Sequence, residues 1–273
     1  MRKLASVVFL SSALWVVSAS AQEATKLREE IDVPVDYQGR QIQLTGWLEK
    51  PAGAGPFPVV IALHACSGYT AEMYGGALPQ WVPILKGQGY ATFKFDSFTA
   101  RGYSEVCTTY AVTADDRAPD VLAAAALLAG RPDVRPDRIA VIGWSHGGGG
   151  AARVTKDWPD RRPAREKLAS RGGKLVASID LYGGCGPAVD PVIVPLLVLV
   201  GALDDWGLGP ASCSELAKAN PTLVTVQVYP GAYHGFDTPG DTHRSAGHMI
   251  AYNAEATADA RIRVTEFLRR YMQ

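Results

Sequence analysis

The chain has 273 residues, of which 47% are hydrophobic and 20% charged, an ordinary globular composition. Lys and Arg together number 27, as do Asp and Glu, so the formal net charge is +0. This balance gives no basis for binding nucleic acid or an anionic membrane surface, and we expect neither as a partner.

The first 21 residues have the pattern of a secretory signal peptide. Arg2 and Lys3 form a basic start, the apolar run 4–17 follows, and small residues at 19–21 (ASA) provide a cleavage signal. An uncleaved membrane anchor is the alternative, but the apolar run is shorter than the ~20 residues that a spanning helix needs. We therefore predict a cleaved leader, export to the periplasm or the extracellular space, and one domain over 22–273 without membrane contact.

Strand and helix patterns alternate along the rest of the chain. The predicted strands are 42–48, 59–63, 90–95, 138–142, 174–181, 195–200 and 223–229. The predicted helices are 77–86, 116–128, a segment from 145 to about 156, 213–219 and 251–271. The apolar face of the last helix is assigned to Ile262, Phe267 and Leu268. The alternation predicts an α/β fold with a mostly parallel central sheet and helices on both faces. The charged stretch 161–171 fits a solvated loop or short helix, with a ligand-binding patch as the alternative.

The strongest functional pattern is the segment 141–148 (VIGWSHGG). Its Gly-x-Ser-x-Gly core follows a predicted strand and opens a predicted helix, as the nucleophile turn of an α/β-hydrolase does. Side chains at Gly143 or Gly147 would crowd this tight turn. We predict that Ser145 is a nucleophile; a glycine-rich turn without chemistry is the alternative.

A serine nucleophile needs a base, and the base needs an acid. His234, in the segment 229–236 (YPGAYHGF), lies between the last predicted strand and the closing helix, where the chain order Ser, Asp, His places the histidine. An exposed loop histidine is the alternative. Asp204 and Asp205 both follow the strand 195–200, and adjacent side chains point apart. We assign Asp204 as the acid and Asp205 as a turn or capping residue.

The oxyanion that develops in acyl transfer needs two backbone donors. The N–H group of His146, the residue after the nucleophile, is the first. The second is expected in the loop 64–68 (HACSG), and we choose Cys66. His64 and His146 themselves do not fall where the base is expected.

The four cysteines are compatible with disulfides in an exported protein, and three pairings are open. We favour Cys66–Cys107 and Cys185–Cys213, because each pair lies in loops that follow successive predicted strands. A zinc site is the alternative, but no Cys-x-x-Cys or His pairing supports it, and we expect no metal.

Together these motifs resemble the dienelactone hydrolase family of α/β-hydrolases, in particular its exported serine-containing branch. The matching segments are 60–68, 96–102, 143–148, 201–206 and 229–236. They occur in the family's order and span most of the chain after the leader. The resemblance implies the α/β-hydrolase fold, a triad of Ser145, Asp204 and His234, and hydrolysis of esters or lactones without a metal or organic cofactor.

The chain departs from the family pattern in ways that bear on the substrate. The dienelactone enzymes have a cysteine at the position of Ser145 and a glutamate that corresponds to Ala65. Arg101 matches an arginine that binds the substrate carboxylate, although a structural ion pair is an equal alternative. The second such arginine is missing from the segment 235–238 (GFDT). Dienelactone itself is therefore not the expected substrate.

We predict a serine hydrolase that cleaves small-molecule carboxylic esters or lactones through an acyl-enzyme. A serine peptidase of similar fold, which usually carries an extra domain, and a non-catalytic binding protein are the alternatives. Arg101, Tyr69 and Trp206 are the candidate substrate contacts. Further aromatic residues are candidates either for the pocket or for the core: Trp81, Trp144 and Tyr103.

Overall fold

The computed structural model describes residues 28–206 and 209–273, so the predicted signal peptide lies outside the described residues. The strands are β1 (Arg28–Tyr37), β2 (Arg40–Glu49), β3 (Phe57–Leu63), β4 (Ala91–Phe95), β5 (Val134–Trp144), β6 (Leu175–Leu181), β7 (Leu196–Gly201), β8 (Val224–Tyr229), β9 (His243–Ser245) and β10 (His248–Ile250). The helices are α1 (Tyr69–Gly75), α2 (Leu78–Gly87), α3 (Ala114–Ala129), α4 (His146–Arg153), α5 (Arg162–Ala169), α6 (Gly209–Ala219) and α7 (Ala254–Met272).

Within these two ranges, the strands form one eight-stranded sheet and a separate hairpin of β9 and β10. The sheet order is β1-β2-β4-β3-β5-β6-β7-β8. The β1–β2 and β2–β4 pairs are antiparallel, and every other neighbouring pair in the sheet is parallel. This confirms the predicted α/β class. Because β3 to β8 run in one direction, the loops that follow them meet at one edge of the sheet, where ligands of open α/β sheets bind.

The central strands are covered on both faces, which explains their continuous apolar sequences. In β3, Val59, Ile61 and Leu63 belong to a core cluster that includes residues of α3, α4 and α5. The alternate residues Val60 and Ala62 belong to a second cluster, with residues of α2 and α7. Each fully buried aliphatic side chain of this size stabilises the fold by about 1.5–3 kcal/mol.

Helix α3 begins two residues before its predicted start because of a capping box. The Thr113 hydroxyl accepts the N–H group of Asp116 at 3.3 Å, and the Asp116 carboxylate accepts the Thr113 N–H group at 2.7 Å. Two otherwise unpaired N–H groups are thereby satisfied. The helix then directs its N-terminus toward the sheet edge that carries the site.

The structure contains three elements that the sequence patterns did not predict: β1, α1 and the β9–β10 hairpin. Strand β1 buries only Val33 and Val35. Its apolar residues at 31, 33, 35 and 37 alternate with exposed residues, so the strand pattern is present in the sequence although it was not predicted. Helix α4 ends at Arg153, three residues before the predicted end.

The prediction that Ile262 lies on the apolar face of the last helix is wrong, because 57% of this residue is exposed. The buried apolar positions of α7 recur at intervals of four: Ala256, Ala260, Val264, Leu268 and Met272. A residue midway between two of these positions points away from the core. Ile262 has this placement.

The charged stretch 161–171 contains α5, so a short helix accounts for most of it. Arg161 is an exception to the solvated pattern, since it is only 4% exposed. Its guanidinium lies 3.9 Å from the Trp158 ring centroid and donates to the carbonyl oxygens of Arg153 and Asp115. Arg161 therefore packs between α3 and α4, where it stabilises the fold.

Two disulfides join the pairs that the sequence favours, Cys66–Cys107 and Cys185–Cys213. They fit an oxidising compartment, where such bonds form and persist. The first connects the loop after β3 to the loop before α3. The second connects the loop after β6 to α6. Among the described helices, none has both the length and the apolar character that a bilayer crossing requires.

Replacing Cys185 and Cys213 together by alanine is expected to lower the free energy of unfolding by about 3 kcal/mol, because the bond closes a long loop in the unfolded chain. Urea titration of the variant and the parent measures the change. As a control, thiol titration of the denatured, unreduced parent protein should detect no free thiol. An unchanged unfolding midpoint in the variant would contradict the expectation.

Candidate active site

The turn at Ser145 joins β5 to α4 at the centre of the sheet. Ser145 has a φ of 52° and a ψ of −120°, a conformation that residues with a side chain rarely adopt. Hydrogen bonds hold it there: the Ser145 N–H group donates to the Leu181 carbonyl oxygen, and the Gly149 N–H group donates to the Ser145 carbonyl oxygen, both at 2.9 Å. Such strain at a polar residue marks functional sites.

Two glycines make this turn possible. A Cβ atom on Gly143 would overlap the carbonyl group of Gly147, and a Cβ atom on Gly147 would overlap the carbonyl oxygens of Leu63 and His64. The turn therefore packs directly on the end of β3. This is the physical reason for both glycines of the motif around Ser145.

Ser145, His234 and Asp204 meet at the edge where β5, β7 and β8 end. His234 Nε2 lies 2.8 Å from Ser145 Oγ, and His234 Nδ1 lies 3.0 Å from the Asp204 carboxylate. The side chains of His234 and Asp204 are 5% and 2% exposed. The second Asp204 oxygen accepts the N–H group of Trp206 at 2.9 Å, which fixes the carboxylate. These distances allow a proton to move from the serine hydroxyl to the imidazole.

Asp205 does not reach His234. Its carboxylate lies 3.4 Å from Nδ1 of His248, and its side chain is 55% exposed. Of the two adjacent aspartates, the structure brings only Asp204 to the histidine.

The two predicted oxyanion donors flank Ser145. Within residues 28–206 and 209–273, the N–H groups of Cys66 and His146 donate to no acceptor, so both are free to bind an anion. The Cys66 carbonyl oxygen accepts the Val106 N–H group at 2.8 Å, and the Cys66–Cys107 disulfide holds the same loop. A hydrogen bond and a disulfide therefore hold the loop where it approaches Ser145.

Glu72 also fixes this loop, and the sequence analysis missed it. This residue of α1 is 4% exposed, and its carboxylate accepts the N–H groups of Ala65 at 3.3 Å and Ala77 at 2.6 Å. Burial raises the pKa of the Glu72 carboxyl, although the backbone hydrogen bonds oppose that rise. No motif surrounds Glu72, so only the fold reveals its contact beside Cys66.

Neither His64 nor His146 is placed to act as the base. His64 donates to the Ala65 carbonyl oxygen and accepts the Ser97 N–H group, and burial keeps its pKa well below the usual value. His146 hydrogen-bonds the Val112 carbonyl oxygen at 2.8 Å. Burial and the neighbouring Arg117 lower the pKa of His146 to about 3. Both rings are neutral and occupied in hydrogen bonds.

Two cavities, of about 250 and 340 Å³, meet at the serine and histidine. Six residues line both: Cys66, Cys107, Ser145, Tyr182, Trp206 and His234. The smaller cavity extends toward the N-terminus of α3 at Thr113 and Ala114. The larger one extends under the β9–β10 hairpin to Ile250.

The predicted substrate contacts differ in their placement. Trp206 lines both cavities, and its ring centroid lies 4.9 Å from that of His234. Tyr69 lines neither cavity and stacks on Trp47 instead, at 4.3 Å between ring centroids. Of the other aromatic candidates, Trp144 lines the larger cavity, and Trp81 is fully buried in the core.

Arg101 forms a structural ion pair, the alternative to a substrate contact that the sequence left open. Its guanidinium makes two hydrogen bonds to Asp120, at 2.8 and 3.0 Å, and the two side chains are each 1% exposed. It also donates to the Ser97 carbonyl oxygen. Arg101 lines neither cavity. The carboxylate of Asp120 already occupies the guanidinium that would otherwise bind an acidic substrate.

Asp180 is a second buried acid near Ser145 and Asp204. It is fully buried on β6 and accepts the Gly183 N–H group at 2.7 Å. Burial, with a smaller contribution from the Asp204 charge, raises its pKa to about 7. Its carboxylate lies close to Cys185 and Cys213, but the two sulfurs are bonded to each other. Since disulfide sulfur lacks the thiolate charge that binds metals, this cluster does not fit a metal ion.

Comparisons with known proteins bear on the family that the chain resembles. A sequence model of the dienelactone hydrolase family matches residues 165–272, which include Asp204 and His234. A protein of Synechocystis sp., provisionally named a carboxymethylenebutenolidase, is 24% identical over 249 residues, which are 83% of this chain and 91% of that protein. The chain is similar to members of the dienelactone hydrolase family. The resemblance inferred from the sequence is confirmed, and the chain is a hydrolase of the carboxylic ester type.

Solved structures of dienelactone hydrolases share the fold. That of a provisionally named dienelactone hydrolase from Klebsiella pneumoniae superposes with a TM-score of 0.63 at 19% identity, covering 89% of this chain and 99% of that one. The dienelactone hydrolase from Anabaena variabilis gives a TM-score of 0.58 at 19% identity, covering 90% of this chain and all of its own. At these identities the likeness establishes the α/β-hydrolase fold.

Asp180→Asn is expected to stabilise the protein at pH 8, and to stabilise it less at pH 5. The folded-state pKa of Asp180, about 7, exceeds its ordinary value of 3.8, so folding favours the protonated form. Stability is therefore full below 3.8 and is lost as the pH rises from there through 7, because the carboxyl group ionises in the unfolded chain before it ionises in the folded one. The asparagine cannot ionise and still accepts the Gly183 N–H group. We expect a gain of about 1–3 kcal/mol at pH 8, measured by denaturant unfolding at both pH values.

Asp241→Asn, at an exposed residue, is the matched control and should leave both values unchanged. Equal stability of Asp180→Asn and the parent protein at pH 8 would contradict the expectation.

Proposed function

We propose that this protein hydrolyses small-molecule carboxylic esters or lactones through an acyl-enzyme formed on Ser145. The observation that carries the proposal is the hydrogen-bonded series from Ser145 Oγ to His234 to Asp204, at 2.8 and 3.0 Å, built on a strained turn. An unactivated serine hydroxyl is a poor nucleophile, and a base held at this distance activates it.

In the first half of the reaction, Ser145 Oγ attacks the acyl carbon while His234 Nε2 accepts the hydroxyl proton. Asp204 accepts the hydrogen bond from Nδ1, so it fixes the tautomer that leaves Nε2 free as a base. Its negative charge also stabilises the imidazolium that forms. His234 then transfers the proton to the leaving alcohol as the carbon–oxygen bond breaks.

The tetrahedral intermediate carries a negative charge on the former carbonyl oxygen. We assign its stabilisation to the backbone N–H groups of Cys66 and His146, which are free in the described residues. Donors that are fixed in advance do not reorganise during the reaction, and each contributes a few kcal/mol of stabilisation. In the second half, His234 activates a water molecule that attacks the acyl carbon and releases the acid.

The two cavities suggest how the substrate divides at the nucleophile. We assign one to the acyl group and the other to the alcohol, since both begin at Ser145 and His234 and extend in different directions. Trp206, which lines both, is the substrate contact that we retain. Arg101 is omitted because Asp120 occupies it.

Export of a single catalytic domain after removal of residues 1–21 completes the proposal. Its support is the leader pattern in the sequence together with two disulfides, which persist in oxidising compartments.

A peptidase activity has one observation in its favour. The structure of a puromycin-hydrolysing peptidase of Mycobacterium tuberculosis superposes with a TM-score of 0.59 at 14% identity, covering 90% of this chain. The chain covers only 39% of that peptidase. Esters therefore remain the preferred substrates, and amide analogues serve as a comparison in the tests below.

Ser145→Ala is expected to lower kcat on a short p-nitrophenyl ester by on the order of 10⁴-fold or more, because the nucleophile is removed. Steady-state kinetics give the value, and circular dichroism verifies folding. A fluorophosphonate probe should label the parent protein at Ser145 and leave the variant unlabelled. Parent-like turnover in the folded variant would overturn the assignment, and an unlabelled parent would favour a binding protein. Faster turnover of the matching anilide than of the ester would favour the peptidase.

Asp204→Asn and Asp205→Asn form a matched pair of variants at adjacent positions. We expect Asp204→Asn to lower kcat by about 10⁴-fold, because the amide no longer holds the required histidine tautomer. Asp205→Asn should stay within about threefold of the parent protein, because its side chain faces His248 and solvent. Steady-state kinetics of both variants test the assignment. A larger loss of kcat in Asp205→Asn than in Asp204→Asn would reverse the roles of the two residues.

A further inference from the structure

Asp237 is a fully buried carboxyl group outside the triad. It lies three residues after His234, in the loop between β8 and β9, and its exposure is 0%. Within residues 28–206 and 209–273 it forms no ion pair. A buried carboxylate without a counter-ion is costly unless hydrogen bonds replace its hydration. Asp237 therefore requires strong hydrogen-bond donors.

Three aromatic side chains supply these donors. Asp237 Oδ2 accepts Nε1–H of Trp81 at 2.7 Å and Nε1–H of Trp144 at 3.0 Å, while Oδ1 accepts the hydroxyl of Tyr182 at 2.6 Å. Burial raises the pKa of the Asp237 carboxyl, and the three hydrogen bonds oppose that rise. An indole N–H group can only donate, so both tryptophans depend on this acceptor.

Two of the donors adjoin the reacting side chains. Trp144 precedes Ser145 directly in the chain. The ring of Tyr182 packs edge-on against His234, with 4.8 Å between centroids. Since Asp237 also shares a loop with His234, one carboxylate connects the serine turn, the loop after β6 and the histidine loop.

We propose that Asp237 is a positioning residue for the hydrolytic reaction: its carboxylate holds Trp144 and Tyr182, and through them the 2.8 Å approach of His234 to Ser145. This proposal rests on the proposed function. Hydrophobic packing alone would not need a carboxylate here, because apolar residues of similar volume fill a core without a desolvation cost. The contribution of the carboxylate is a fixed geometry among three loops.

Two variants separate the hydrogen bonds from the charge. In Asp237→Asn, the amide oxygen can replace Oδ2 and accept both indole N–H groups, while the amide N–H group can donate to the Tyr182 oxygen. The geometry is kept, and the charge is removed. In Asp237→Ala, all three donors lose their acceptor. Tyr182→Phe removes one hydrogen bond and keeps the ring against His234.

The readout is kcat per active site, with the sites counted by fluorophosphonate titration, so that loss of folded protein does not lower the value. We expect Asp237→Ala to lower kcat per site by at least about tenfold and to slow fluorophosphonate labelling by a similar factor, because displaced reacting groups lose proximity. Asp237→Asn should restore kcat per site to within about threefold of the parent protein. The kcat per site of Tyr182→Phe should lie between those of Asp237→Ala and Asp237→Asn.

Asp120→Asn is the matched control, because it also neutralises a fully buried acid but contacts Arg101 and neither cavity. It should lower stability without changing kcat per site. If Asp237→Ala keeps the parent value of kcat per site, the proposal is overturned. A loss in Asp237→Asn as large as in Asp237→Ala would also overturn it, because charge rather than position would then be responsible.

If Asp237→Ala does not fold, the test rests on Tyr182→Phe. An unchanged kcat per site in Tyr182→Phe then overturns the proposal. If the proposed function itself is wrong, the fluorophosphonate probe will not label the parent protein, which separates that outcome from failure of the role of Asp237. Normal labelling of the parent protein with unaffected variants defeats only the role of Asp237.

Discussion

The chain passes so close to itself at the serine turn that glycine alone fits on either side of the nucleophile. The Gly147 carbonyl group occupies the space that a side chain at Gly143 would need, and the carbonyl oxygens of Leu63 and His64, at the end of β3, occupy that space at Gly147. This close approach brings the loop after β3, with Cys66, next to Ser145. The strained serine, the free N–H groups and the meeting of the cavities all depend on that contact.

Around this turn the protein buries acidic groups and satisfies each in a different way. Asp204 is held by an imidazole and a backbone N–H group, Glu72 by backbone N–H groups, and Asp120 by a guanidinium. Asp237 depends on aromatic donors, and Asp180 has a single backbone donor within the described residues. Asp180 therefore has the fewest hydrogen bonds to offset its burial, and its pKa is raised to about 7.

The parts predictable from the sequence were those that local chemistry determines. The apolar run of β3 indicates a strand covered on both faces, and Ser145 sits in a pattern that combines strand, tight turn and helix. Asp204 and His234 follow strands in an order that the fold requires. The structure brings these three side chains into hydrogen-bond contact, so their positions after successive strands were sufficient to predict that they meet.

The parts not predictable depend on contacts between distant segments. Asp237 finds partners up to 156 positions away, and Glu72 acts on a loop that no motif connects to it. Arg101 looks the same in sequence whether it meets a substrate or Asp120. Ile262 was assigned inward because apolar character alone does not determine which face of a helix is buried, and two of the buried positions, Ala256 and Ala260, are small residues with a weak apolar signal.

The sharing of cavity walls has a consequence for how selectivity can evolve. Because Trp206 and Tyr182 form walls of both cavities, a substitution at either alters the fit of both halves of an ester at once. The shape of one cavity can change without the other only at residues that line a single cavity, such as Thr113 in the smaller cavity and Ile250 in the larger one. A change of fit in one cavity that leaves the other unchanged therefore requires substitutions at these outer residues rather than at the residues shared by both cavities.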